Sequence, residues 1–234
     1  MSIRLFDGIF NREHRKTYPI FRAKFYIWRR NAVLPAELYF MNLENIMEGR
    51  TVFDFHAMLK ARTADAHVRL ESLPQSKVLL SPNLTEEQYR HYLLMMAEVV
   101  SGIEKNIFPR VENVFPDIES RRKLGWLIED LRHSKIAGSL FTSEYSEPFA
   151  VGITYVIEGS VLGGRFILKN INEVLGFTGE SGARYFHGYG NQTGAMWKEF
   201  TSRLSAYADE NNADEIIAGA NYAFDAIYNR FSTS

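Results

Sequence analysis

The chain has no cysteine among its 234 residues. That excludes disulfides, thiolate metal ligation, iron–sulfur clusters and cysteine nucleophiles, and it suits a reducing cytoplasm. Net charge is scarce too, at −1, so no global field recruits nucleic acid. No run of about 18 apolar residues is present, so no membrane-spanning helix is expected. No apolar stretch with a small-residue cleavage site follows the start, and no secretory signal is expected. A glycine-rich dinucleotide loop is missing as well, since the glycines of 188–194 follow no strand. Alternating strand patterns, repeats and low-complexity tracts are absent. What is there is an ordinary globular composition, 46% hydrophobic, in a chain long enough to build a core without staples.

Charge is distributed unevenly. Residues 1–40 hold eight Lys/Arg against three acids, a balance of +5 that leaves −6 for the remainder. Phe21, Phe25, Tyr26, Ile27 and Trp28 lie among these bases. Residues 1–45 therefore read as a basic, aromatic extension, either loose or a docking arm for a membrane surface or a partner. Residues 46–234 read as one all-α domain. Apolar positions at Phe55, Met58, Leu59, Ala66 and Leu70 follow the helical period over 52–72. Thr85-Glu86-Glu87-Gln88 is a capping box that opens a long helix. Residues 117–133 are amphipathic, 147–174 form a glycine-containing helix, 176–194 a glycine-rich loop, and 195–207 a further helix. Asn212-Ala213-Asp214-Glu215 is expected to cap the last helix.

Two of these helices carry the residues of chemical interest. His67 lies on the first, with Lys60 seven residues earlier and Thr63 four earlier, all on one face. Alone, His67 is either an imidazole ligand or a polar residue among Arg and Glu. No other histidine pairs with it at metal-ligand spacing. Gly159, Gly163 and Gly164 interrupt the helix over 147–174, at a cost of about 1 kcal/mol each relative to alanine. They serve either tight helix–helix packing or the close approach of a flat ligand to the backbone.

Leu59, Lys60, Thr63, His67 and Glu71 match a Leu-Lys-x-x-Thr-x-x-x-His-x-x-x-Glu pattern. Tyr155, Val156, Glu158, Gly159, Ser160, Leu162, Gly163 and Gly164 match Tyr-Val-x-Glu-Gly-Ser-x-Leu-Gly-Gly. Gly182-Ala183-Arg184, Trp197 and Phe200 form a third match. On these motifs, about residues 52–230 resemble the biliverdin-forming haem oxygenases, in particular their bacterial branch.

The resemblance implies an all-α fold with haem b, both substrate and cofactor, between a proximal helix bearing His67 and a glycine-kinked distal helix. It makes His67 the iron ligand, Lys60, Thr63 and Tyr155 cofactor-binding residues, and Gly159, Ser160, Gly163 and Gly164 the distal face that steers oxygen. Ser160 would join a distal water network. Arg184 would add a haem contact or else cap a loop. Cleavage with O2 would give biliverdin, carbon monoxide and ferrous iron. Lys60 and Tyr155 stand where α-cleaving relatives hold the propionates, so the IXα isomer is expected. Electrons would come from a separate reductase or ferredoxin-type donor, and a bilin-accepting protein such as a phytochrome is a candidate recipient. Two alternatives remain at this level: a haem carrier or sensor without turnover, and a haem-free helical interaction module.

Overall fold

The computed structural model describes residues 54–132, 134, 136, 138 and 140–233. The expected extension over 1–45 lies outside the described residues, as does His133. Among those described there is no strand; pairing is limited to bridges from Thr178 to Ser181 and Gly182.

Nine α-helices follow in order among the described residues: α1 Phe55–Glu71, α2 Pro74–Lys77, α3 Glu86–Gly102, α4 Phe108–Val111, α5 Leu124–Asp130, α6 Glu147–Leu175, α7 Arg184–His187, α8 Thr193–Tyr207 and α9 Ala213–Ser232. Their ends have identifiable causes. Asp54 starts α1 by accepting the Ala57 N–H at 3.0 Å. The capping box of α3 forms, with Gln88 N–H donating to Thr85 Oγ1 at 3.2 Å and Thr85 N–H donating to Gln88 Oε1 at 3.0 Å. Ser146 caps α6, Pro148 sits in its first turn, and Gly176 ends it in the left-handed region at φ 72°.

Two local expectations change. Residues 117–133 do not form one helix. A 3-10 turn, Ile118–Arg121, is followed by a break and then by α5. The cause is Glu104, buried in a π-helical segment, Ile103–Ile107, that joins α3 to α4. Its Oε1 accepts from the amides of Lys123 and Leu124 and thereby caps α5. Asn212 precedes α9 but makes no side-chain cap. Its amide group is used on the preceding turn, accepting from Asp209 N–H at 2.9 Å and donating to the Tyr207 carbonyl at 3.0 Å.

The core is organised on α6. Residues 150–158 are buried without interruption, the pattern of a helix covered on all sides. Its principal neighbour is α9, with α7, α8 and α4 also packed against it. At the α6–α9 crossing two glycines meet backbone reciprocally: a side chain on Gly152 would run into the Ile216 carbonyl, and one on Gly219 into that of Phe149. α6 is also long and apolar enough, by length and composition alone, to cross a membrane, although charged residues interrupt its apolar run. Its mean hydropathy reaches 1.3 over a window that is 56% buried inside the protein. A central core helix reads the same way.

Candidate functional site

α1 is seated on α9. His67 meets the Phe224 ring edge-on at 5.5 Å. Arg69 pairs with Asp225, and its guanidinium lies 4.6 Å from the Tyr228 ring centre. The His67 side chain is 55% exposed, and its Nε2 is 3.6 Å from Glu71 Oε1. Lys60 is exposed and Thr63 is buried. Thr63 Oγ1 donates to the Leu59 carbonyl at 2.9 Å and faces the Tyr155 phenol on α6. Burial pushes the Tyr155 phenol up. The structure thus brings Thr63 and Tyr155 together as the link between the two candidate helices. One turn on from that link α1 carries His67; one and two turns on, α6 carries Gly159 and Gly163.

The three distal glycines differ. A Cβ on Gly163 would meet nothing within 4 Å. One on Gly159 would sit in ordinary contact with Trp197, 3.6 Å from Cη2. One on Gly164 would lie 2.6 Å from the Phe186 carbonyl oxygen. Gly164 therefore answers to packing against α7, whereas Gly163 leaves an open face on α6. Ser160 is exposed, and its hydroxyl donates to the Ile157 carbonyl at 2.8 Å. Arg184 pairs with Glu129 at 2.7 Å and lies 3.7 Å from Asp130, tying α7 to α5.

Five large apolar side chains are exposed among the described residues, and three of them are on these two helices: Val68 beside His67, and Leu162 and Phe166 flanking Gly163. Phe166 is 79% exposed. A surface of that kind next to an open glycine face is suited to covering by a flat apolar ligand. The donor set agrees, since an imidazole with no metal-ligand partner can supply a single axial nitrogen. Among the described residues no group of three His, Asp or Glu is placed to hold a bare metal ion.

Behind the open face lies a charged cluster that sequence reasoning missed. Glu158, immediately before Gly159, is buried between two cations. Arg121 Nη1 donates to its Oε2 at 2.7 Å, Lys123 Nζ donates to its Oε1, and the Tyr189 hydroxyl lies 3.1 Å from Oε1. Arg121 is 0% exposed and also holds Asp117 and the Met196 carbonyl. Burial lowers the Lys123 pKa, against the pull of Glu158. Burial works the same way on Arg121, but hydrogen bonds to Asp117 and Glu158 leave it raised. Burial and then the Glu158 charge push the Tyr189 phenol up. Glu158 stands in the distal motif as a signal, but Arg121-Arg122-Lys123 reads in sequence as a solvated basic run.

A sequence-family model described as Heme oxygenase matches residues 140–233, which take in α6 to α9. The NO- and CO-bound heme oxygenase of Neisseria meningitidis is similar over 76% of this chain and 92% of its own, at 24% identity and a TM-score of 0.64. The chain thus shares the fold of solved haem oxygenases, and its C-terminal part, residues 140–233, matches the haem oxygenase family model. The heme oxygenase of Leptospira interrogans covers 78% of this chain and 100% of its own, at 17% identity and a TM-score of 0.66. The heme oxygenase-1 of the cyanobacterium Synechocystis, solved in complex with heme, covers 77% and 91%, at 16% identity and 0.65. No curated protein sequence matches the chain. The resemblance seen in the motifs and the all-α haem oxygenase fold are thus both borne out.

Proposed function

We propose that this chain cleaves haem with O2 and externally supplied electrons to biliverdin, carbon monoxide and ferrous iron. One observation carries the reading. The half-exposed His67 on α1 and the open, side-chain-free face of Gly163 on α6 both lie one or two turns beyond the Thr63–Tyr155 link, bordered by the exposed Val68, Leu162 and Phe166. Haem b, when bound, supplies the iron that activates oxygen and the ring that is consumed. The chain's own residues supply the rest. His67 would hold the iron through an imidazole nitrogen, Gly159 and Gly163 would leave α6 free of side chains where the ring lies, and Ser160 would offer a hydroxyl to water. Lys60 places an ammonium where a haem carboxylate can be held, and Tyr155, one turn before Gly159 on α6, adds a phenol hydroxyl. This is the basis for proposing the IXα isomer.

With no dinucleotide loop in the sequence, we assign the electrons to a separate reductase or ferredoxin-type protein, with the cytoplasm as the compartment. A bilin-accepting protein such as a phytochrome is the proposed recipient. Hemin titration tests the binding step through the appearance of a Soret band. Ascorbate or a reductase then tests turnover, which converts that band into the broad red absorption of biliverdin. A protein that binds hemin and keeps an unchanged Soret band under reductant and oxygen is a carrier, and the oxygenase reading fails. Chromatography of the bilins tests the isomer, with IXα dominant in the wild type and diluted in the Lys60→Asn, Tyr155→Phe double variant.

A further inference from the structure

We infer that His56 is a further binding residue of this site, its imidazole N–H donating to a carboxylate at the edge of the bound tetrapyrrole. The inference rests on the haem reading above and adds a residue that the motifs do not contain.

Position is the first ground. His56, Lys60, Thr63 and His67 fall at intervals of four, three and four residues, so they form one stripe along α1. Eleven residues are three turns to within roughly 20°, which puts His56 in line with the proposed axial ligand and one turn from Lys60. The second ground is what the ring touches. His56 is half-buried, edge-on to Tyr155 at 6.2 Å between ring centres and to Trp197 at 5.7 Å. Trp197 in turn lies beside Gly159, 3.6 Å from where its Cβ would be. An aromatic wall therefore runs from α1 through α8 to the first distal glycine, and His56 is its member nearest Lys60 along the chain.

The third ground is the supply of donors. The Tyr155 phenol faces Thr63, whose own hydroxyl donates to the Leu59 carbonyl. Besides Tyr155, the N–H donors gathered at this end of α1 are Lys60 and His56. Among the described residues, neither nitrogen of His56 has a hydrogen-bond partner. The charged and titratable groups facing it are Asp54 and Lys60 on its own helix and Tyr155 on α6. Burial lowers its pKa, with Asp54 acting against this and Lys60 with it. A neutral imidazole still carries one N–H, and a protonated one carries two, so a donor is present in either state.

The experiment compares hemin with its dimethyl ester, in which both carboxylates are blocked, by Soret titration of wild type, His56→Phe and His56→Gln. Phenylalanine keeps the aromatic wall and removes the donor; glutamine keeps a donor. The expected result is that His56→Phe weakens hemin binding about tenfold, as for a hydrogen bond to a charged group. The ester should bind that variant as it binds wild type, and His56→Gln should recover most of the loss. Equal weakening for hemin and ester would show that His56 only packs, and unchanged hemin binding in His56→Phe would show no role; either overturns the inference. If wild type binds neither porphyrin, the haem reading itself fails and takes this inference with it.

Discussion

Of the 17 residues of α1, three are buried; of the 29 of α6, twelve are. The helix that carries His67 is held lightly, by Phe55, Leu59 and Thr63 against the core and by contacts to α9. The helix that offers the glycine face is held on all sides as far as Glu158 and opens only from Gly159 onward. The difference teaches how the site is assembled. One wall is fixed by the core and by a buried ionic anchor, while the other is lightly seated; both keep apolar side chains in water, Val68 on α1 and Leu162 and Phe166 on α6. A ligand lying between them would supply packing that α1 lacks.

The comparison can be broken most strongly at its anchor. Glu158→Ala leaves Arg121 and Lys123 buried without their carboxylate, and removing one member of a buried pair costs about 3–5 kcal/mol. Urea unfolding should show a loss of that size, and a change below about 1 kcal/mol would mean that the cluster is not what holds the distal turn. Next comes Gly164→Ala, whose methyl must push against the Phe186 carbonyl. Overpacking of this kind costs about 1–3 kcal/mol, read as a lowered urea midpoint at unchanged slope.

Gly163→Ala is expected to go the other way. With open space on that side, the helix gains up to about 1 kcal/mol from replacing glycine. The pair of variants therefore sharpens the division among the distal glycines. Gly163→Leu, equally free in the absence of ligand, should impair hemin binding or turnover. The smallest effect on folding is expected at His67. Its side chain is more than half exposed, so His67→Ala should shift stability by no more than about 0.5 kcal/mol. The same variant should lose the histidine-ligated Soret spectrum and bilin formation. An unchanged spectrum would remove His67 from the site.

Much of α6 is legible in the amino-acid sequence alone. Its expected limits of 147 and 174 fall within one residue of Glu147–Leu175, because Ser146 with Pro148 and Gly176 are local signals that act on the backbone beside them. The capping box at Thr85 is legible for the same reason. The break at residues 122–123 is not, because its cause, Glu104, lies 19 residues upstream and reads in sequence as a helix-surface acid. Nor does sequence tell the glycines apart. Gly163 and Gly164 are adjacent, and only the arrival of Phe186 from α7 makes one of them a packing residue. His56 is remote from His67 in linear distance, and its neighbours Tyr155 and Trp197 come from helices that begin more than 90 residues later.

The reciprocal glycine crossing of α6 and α9 has a kinetic consequence. Where backbone meets backbone, no side-chain rearrangement can separate the helices by a small step; opening the seam exposes the central core at once. Amide protons around Gly152 and Gly219 should therefore be among the last in the protein to exchange with deuterium, by global unfolding. Those of α1 should exchange early, in a local opening that leaves the α6–α9 seam shut.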